Sequence, residues 1–310
     1  MELINALSSP IVNRVYSHLK TEVLRDNSNW AQDIWMVPEL WRQSLGAGVK
    51  VAVLDTGIDL NHADFKNSVI SHRDFTGTGI QDGDGHGTHC AGIVGARGGK
   101  DGFTGIAPSC DLIIGKVVDN QGRGSLDQLS EGIAWAVEEG AEIISISLGY
   151  PFHNNRLHKI IHEALAKGAT ICAAAGNSGS MNPVNIDYPG IYGGLITVGA
   201  HDEYGNPTGF SSRGGELDVL APGKEVFSTY KDQGYASLSG TSMATPMVAG
   251  LCALILAKHK KNPNNRTPVE NCDDLRQHLL RMAAHNGYHS NTSGYGPIVP
   301  LRNFSIKSTK

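Results

Sequence analysis

The sequence predicts an α/β domain with a mostly parallel central sheet flanked by helices. Two observations carry this. Short runs that are apolar at nearly every position alternate with helical segments that are apolar on one face only, as in a sheet covered on both sides. Several polar residues of chemical interest also stand directly after apolar runs, and such sheets place their sites at the carboxyl ends of the strands.

Taken in order, residues 1–29 differ from the rest of the chain. Ile11, Val12, Val15, Tyr16, Leu19 and Val23 recur at helical spacing after Ser9-Pro10, a cap followed by a first-turn proline. The pattern predicts a short amphipathic helix over 10–24, ending in the polar stretch Arg25-Asp26-Asn27-Ser28. We therefore divide the chain into an extension, 1–29, and a body, 30–310. In the body, strands are expected at 49–54, 112–118, 143–147, 169–174 and 195–198. Between them, Leu126, Leu129, Ile133 and Val137 share one helical face. So do Leu157, Ile160, Ile161, Ala164 and Leu165, with Gly168 as a stop.

Composition narrows the class. With 310 residues, 40% apolar and 18% charged, the chain should bury about three quarters of its unfolded surface. A net charge of −4 gives no electrostatic footprint for nucleic acid. The longest apolar run, Val248 to Ala257, is too short for a bilayer span, so no membrane partner is expected. Met1-Glu2-Leu3-Ile4-Asn5 has no basic stretch leading into an apolar one, which points to a cytoplasmic protein. The five cysteines include no C-x-x-C pair and read as buried, reduced thiols. The sequons at Asn265, Asn291 and Asn303 carry little without a secretory leader.

Three residues carry the chemistry. Asp55 ends the first strand, His86 opens the segment Gly87-Thr88-His89-Cys90, and Ser242 precedes a long apolar helix. A serine hydroxyl is a poor nucleophile until a base takes its proton. Histidine can do so near neutral pH, and a carboxylate at its far nitrogen fixes the tautomer. A helix N-terminus at Ser242 would favour a developing oxyanion. Each residue alone is an ordinary turn or cap residue. Their conjunction in the order Asp, His, Ser carries the weight.

The sequence resembles the subtilisin family of serine proteases. The resemblance rests on Val53-Leu54-Asp55-Thr56-Gly57-Ile58-Asp59, His86-Gly87-Thr88-His89-Cys90-Ala91-Gly92 and Gly240-Thr241-Ser242-Met243-Ala244-Thr245-Pro246, and extends from about Trp30 to Met282. It implies a subtilisin-like fold and endopeptidase action on polypeptide substrates, with no cofactor needed for the chemistry. It also implies that Asn177, in Ala175-Gly176-Asn177-Ser178, donates to the oxyanion. Losing such a side-chain donor costs about 10²–10³ in kcat, a value established on subtilisin itself. Ser147-Leu148-Gly149 and Gly122-Arg123-Gly124 would grip an extended peptide by main-chain pairing. Ala174 and Gly176 would also contact substrate, and Asp187 would line the base of the primary specificity pocket and favour Lys or Arg before the scissile bond, the alternative being that Asp187 faces water and the pocket takes apolar residues. Arg123 reads as a solvated side chain. Cys90 would lie beneath the site without a catalytic role.

Structural calcium is implied by the family. Asp64 matches a ligand, but the loop Gly98-Gly99-Lys100-Asp101-Gly102 carries a lysine where an Asn is expected, leaving Asp101 as a substitute. Carbonyls near Gly190, Tyr192 and Leu195 form a weaker candidate, and Asp82 and Asp84 read as a solvated turn. His86 and His89 have zinc spacing without a third ligand nearby. The layout is nearest to intracellular subtilisins. That likeness implies a short inhibitory extension, here residues 1–25, and a homodimer.

Three rivals stand against this reading. An aspartic protease needs a second Asp-Thr/Ser-Gly, which the chain lacks. A dinucleotide-binding fold needs Gly-x-Gly-x-x-Gly after a first strand, also lacking. A catalytically silent scaffold of the same fold would keep the body but not react with a serine-directed phosphonate.

Overall fold

The computed structural model describes residues 29–98, 102–179, 185–262, 269–285 and 287–304. The amphipathic helix expected over 10–24 lies outside them. Seven strands form one sheet: β1 (Lys50–Asp55), β2 (Val69–Asp74), β3 (Asp111–Lys116), β4 (Ile143–Ile146), β5 (Thr170–Ala174), β6 (Ile196–His201) and β7 (Val219–Pro222). Their order is β2-β3-β1-β4-β5-β6-β7, and every pairing is parallel. A separate antiparallel hairpin joins β8 (Val226–Tyr230) to β9 (Gly234–Leu238).

Alternation along each strand sorts the core into two layers. Val51 and Val53 of β1 face one way, toward α3 (His86–Gly95) and α6 (Thr241–Lys261). Ala52 and Leu54 face the other, toward α4 (Leu126–Glu138) and α5 (Asn155–Ala166). Ser125 starts α4 with a full capping box, its hydroxyl accepting from the Gln128 N–H while the Gln128 side chain accepts from the Ser125 N–H. Asn154 caps α5 in the simpler way, on the Leu157 N–H. The short helices α1 (Trp30–Ile34) and α2 (Val37–Trp41) precede the sheet, and α7 (Cys272–Met282) and α8 (Leu301–Phe304) follow it.

Helix α6 is longer than the apolar run read from the sequence. By length and composition it could cross a bilayer, yet 89% of its most apolar window is buried inside the protein. It is the central helix of one core layer. All five cysteines are buried and unpaired.

Candidate active site

Asp55, His86 and Ser242 converge at the carboxyl end of the sheet, from the end of β1 and the first residues of α3 and α6. They are 1%, 2% and 0% exposed. The His86 Nδ1 lies 2.7 Å from Asp55 Oδ1. Burial disfavours the imidazolium, but the Asp55 carboxylate outweighs it and raises the His86 pKa well above the ordinary value of 6.5. Asp55 Oδ1 also accepts from the Thr56 N–H, at 2.7 Å.

The sequence reading missed what holds α3 in place. Asp82 is buried and is no solvated turn. Its Oδ1 accepts from Thr56 Oγ1 and from the N–H groups of Asp84 and Gly85. Its Oδ2 accepts from the Thr88 N–H and hydroxyl. One carboxylate thus satisfies the start of α3 and ties it to the turn after Asp55. Thr56 Oγ1 in turn accepts from the Gly87 N–H, at 2.8 Å. A Cβ on Gly87 would stand 2.4 Å from the Gly57 carbonyl oxygen. Only glycine lets the helix start this close to the strand end. Asp82 was legible as a potential helix cap four residues before His86, but its turn context favoured the solvated reading.

Because α6 begins at Thr241, Pro246 lies beyond its first turn and deprives the Ser242 carbonyl of its helical donor. Two side chains supply the bond instead: Ser147 Oγ at 2.9 Å and Cys90 Sγ at 3.4 Å. Cys90 Sγ is also 3.8 Å from His86 Nδ1. It therefore packs beneath both His86 and Ser242, as expected, although it touches the nitrogen that Asp55 holds. Burial pushes its thiol pKa up, so it stays a neutral donor.

Asn177 stands at the rim after β5, half-buried. Its Oδ1 accepts from the Thr241 N–H and hydroxyl, at 3.0 and 3.1 Å. This fixes the amide with its NH2 end turned away from Thr241. The orienting threonine was not singled out from the sequence.

Of the predicted substrate-contacting residues, Ser147 and Gly176 touch the start of α6 directly. Ser147, Leu148 and Gly149 are buried directly after β4. Ser242 Oγ is 3.4 Å from the Ser147 carbonyl. Gly122 and Gly124 flank Arg123, whose side chain is exposed, as expected. Its Nε donates to Asp119 Oδ2 at 2.9 Å, and its N–H to Asp119 Oδ1. Ala174 ends β5, and Gly176 follows at φ 110°. A Cβ on Gly176 would sit 2.5 Å from Asp187 Oδ2, so Asp187 lies against a wall that only glycine can form. Desolvation pushes Asp187 up to about 6.

The metal candidates fit less well. Asp64 Oδ2 accepts from the Phe103 N–H at 2.8 Å and the Tyr235 hydroxyl at 2.9 Å. Donors aimed at that oxygen compete with a cation there, and Lys100 and Asp101 lie outside the described residues. The Gly190 carbonyl accepts from Thr197 Oγ1. His89 does not join His86. Its Nε2 sits 3.0 Å from the carbonyls of both Val226 and Ala236, under the β8–β9 hairpin, and burial lowers its pKa to about 3.

A parallel α/β sheet carrying a buried Asp–His pair beside a helix-borne serine defines a serine hydrolase of the subtilisin architecture. The Subtilase family model matches residues 46–296, and the chain belongs to that family. Thermitase of Thermoactinomyces vulgaris is 40% identical over 240 residues, covering 76% of this chain and 85% of the relative. An intracellular serine protease of Paenibacillus polymyxa is 43% identical over 226 residues, covering 70% and 69%. Subtilisin DY of Bacillus licheniformis is 46% identical over 247 residues, covering 78% and 86%. The chain is a subtilisin-like serine endopeptidase. Such enzymes act on polypeptides and need no cofactor for the chemistry.

Proposed function

We propose that Ser242 attacks the scissile carbonyl with His86 as base, then acid, while Asp55 orients His86 and stabilises its charged form. The observation that carries this is the buried 2.7 Å contact between His86 Nδ1 and Asp55 Oδ1. It leaves Nε2 as the ring nitrogen for proton transfer. Asn177, held by Thr241, supplies a side-chain donor to the oxyanion, and the Ser242 N–H at the start of α6 the second. Segments 122–124 and 147–149 pair with the substrate main chain on either side.

Asp187 sets a preference for Lys or Arg before the scissile bond. Its carboxyl is desolvated, and no cation contributes to its shift, so an incoming cation would gain a poorly solvated partner. Because that shift is upward, to about 6, the carboxylate is present above that pH. The preference then fades as pH falls through it. The test titrates the chain with a serine-directed phosphonate and profiles a peptide library at neutral and acid pH. The expected result is one label per chain, on Ser242, with cuts after Lys and Arg. Labelling with cuts only after apolar residues would reject the role of Asp187. Failure to label, even after removal of residues 1–25, would favour the silent scaffold.

The body, residues 30–310, works behind a regulatory extension. We infer that residues 1–25 inhibit the body or dock on it, because the apolar residues that recur at helical spacing in that part of the sequence need a surface to be buried against. Deleting residues 1–25 is expected to raise kcat/KM on short peptides, and an unchanged value rejects the inhibition. A cytoplasmic setting extends to this chain what the name of its Paenibacillus polymyxa relative states.

A further inference from the structure

Helix α5 lies on the sheet face opposite α6 and carries none of the catalytic groups described above. Its outer surface has an unusual feature. His158 and His162, one turn apart, point their Nε2 atoms at each other across 2.9 Å. The rings are nearly perpendicular, with centroids 4.5 Å apart. A third imidazole, His153, stands at the entrance to the same helix, 5.6 Å from the His158 ring. We propose that His158 and His162, joined by His153, form a binding site for a zinc-like divalent transition metal.

The argument starts from the short contact. Two neutral imidazoles can share it only as N–H donor to lone pair, so one ring must present its proton and the other its lone pair. A metal ion replaces that proton and uses both lone pairs. Two histidines four apart on a helix share one face and are a common way to hold zinc. Tetrahedral zinc at about 2.0–2.1 Å from nitrogen spaces two ligands by about 3.3 Å. The pair therefore needs to open by only a few tenths of an ångström. Imidazole ligands suit zinc, copper and nickel rather than calcium.

The His158 ring packs against Tyr192, centroids 4.7 Å apart. The Tyr192 hydroxyl accepts from the Asn154 N–H and donates to its carbonyl, so this ring is braced at the helix start. His153 and His162 are exposed. His153 Nε2 now donates to Asn155 Oδ1 at 2.8 Å, and turning that ring away from Asn155 offers the third nitrogen. Water completes the coordination.

The test measures Zn²⁺ binding to the full chain near neutral pH, by competition with a chromophoric zinc indicator. Wild type is compared with H162Q, H153A and H158A/H162A, and peptidase activity without added zinc checks that each is folded. The expected result is one ion per chain, with H162Q weakening affinity on the order of 100-fold. H153A should weaken it less, and the double variant should abolish it. Wild-type affinity in H162Q would overturn the site, as would the absence of binding by wild type. Asp55, His86 and Cys90 also place ligand atoms within 4.8 Å of one another. Zinc that still binds the double variant, and inhibits it, would put the ion there and equally overturn the proposal.

Discussion

Ser242→Ala is expected to lower kcat by about 10⁶, and adding His86→Ala to lower it little further. In subtilisin, removing the serine or the histidine alone costs about as much as removing the whole triad. The reason is mechanical. The hydroxyl attacks only while its proton passes to the ring, so either loss ends the same step. Here Ser242 sits at the start of a helix whose first-turn carbonyl is held by Ser147 and Cys90, and His86 is held by Asp55 from below. The residual rate, about 10³–10⁴ above water in subtilisin, comes from the oxyanion hole and substrate binding. The kcat per mole of purified, folded protein for the two single variants and the double checks this. Multiplicative losses in the double variant would mean that His86 and Ser242 act in separate steps, contrary to the proposed roles.

Much of this arrangement was legible in the sequence, for physical reasons. The five strands expected there are buried on both faces, so their apolar runs are uninterrupted. The strands that were not foreseen lie at edges or outside the sheet. β2 reads Val-Ile-Ser-His-Arg-Asp and is half-exposed, and β7 ends in Pro222, which an edge tolerates. The β8–β9 hairpin turns through Asp232 and Gln233, both with positive φ, where no Asn-Gly or Asp-Gly announces it. Helix α7 is different: Asn271 caps it and its apolar spacing is regular, so its signal was present and unread. The candidate catalytic residues stood out because each stands at the end of a strand or the start of a helix. The residues that orient them did not. Asp82, Thr241 and Ser147 act through backbone groups brought together only by folding, and no local pattern distinguishes them from ordinary turn and cap residues.

Asp55→Asn is expected to lower kcat by about 10⁴ and to move the acid limb of kcat/KM to lower pH. The two effects share one cause. Base catalysis needs neutral His86, so activity falls as pH drops through the His86 pKa. The Asp55 carboxylate holds that value well above 6.5 against the opposing cost of burial. The wild-type limb should therefore lie above 6.5. An amide of the same shape removes the charge but not the volume. The imidazolium then loses its main compensation in a site where Asp55 is 1% exposed, and its pKa falls. The same loss raises the transition state, in which His86 carries the proton taken from Ser242. A limb that stays in place while kcat falls would assign the loss to geometry alone, through the second bond that Asp55 Oδ1 accepts from the Thr56 N–H. A limb that moves down with the rate means that Asp55 works chiefly by its charge, with the turn at Thr56 and the Asp82 carboxylate holding it under the ring.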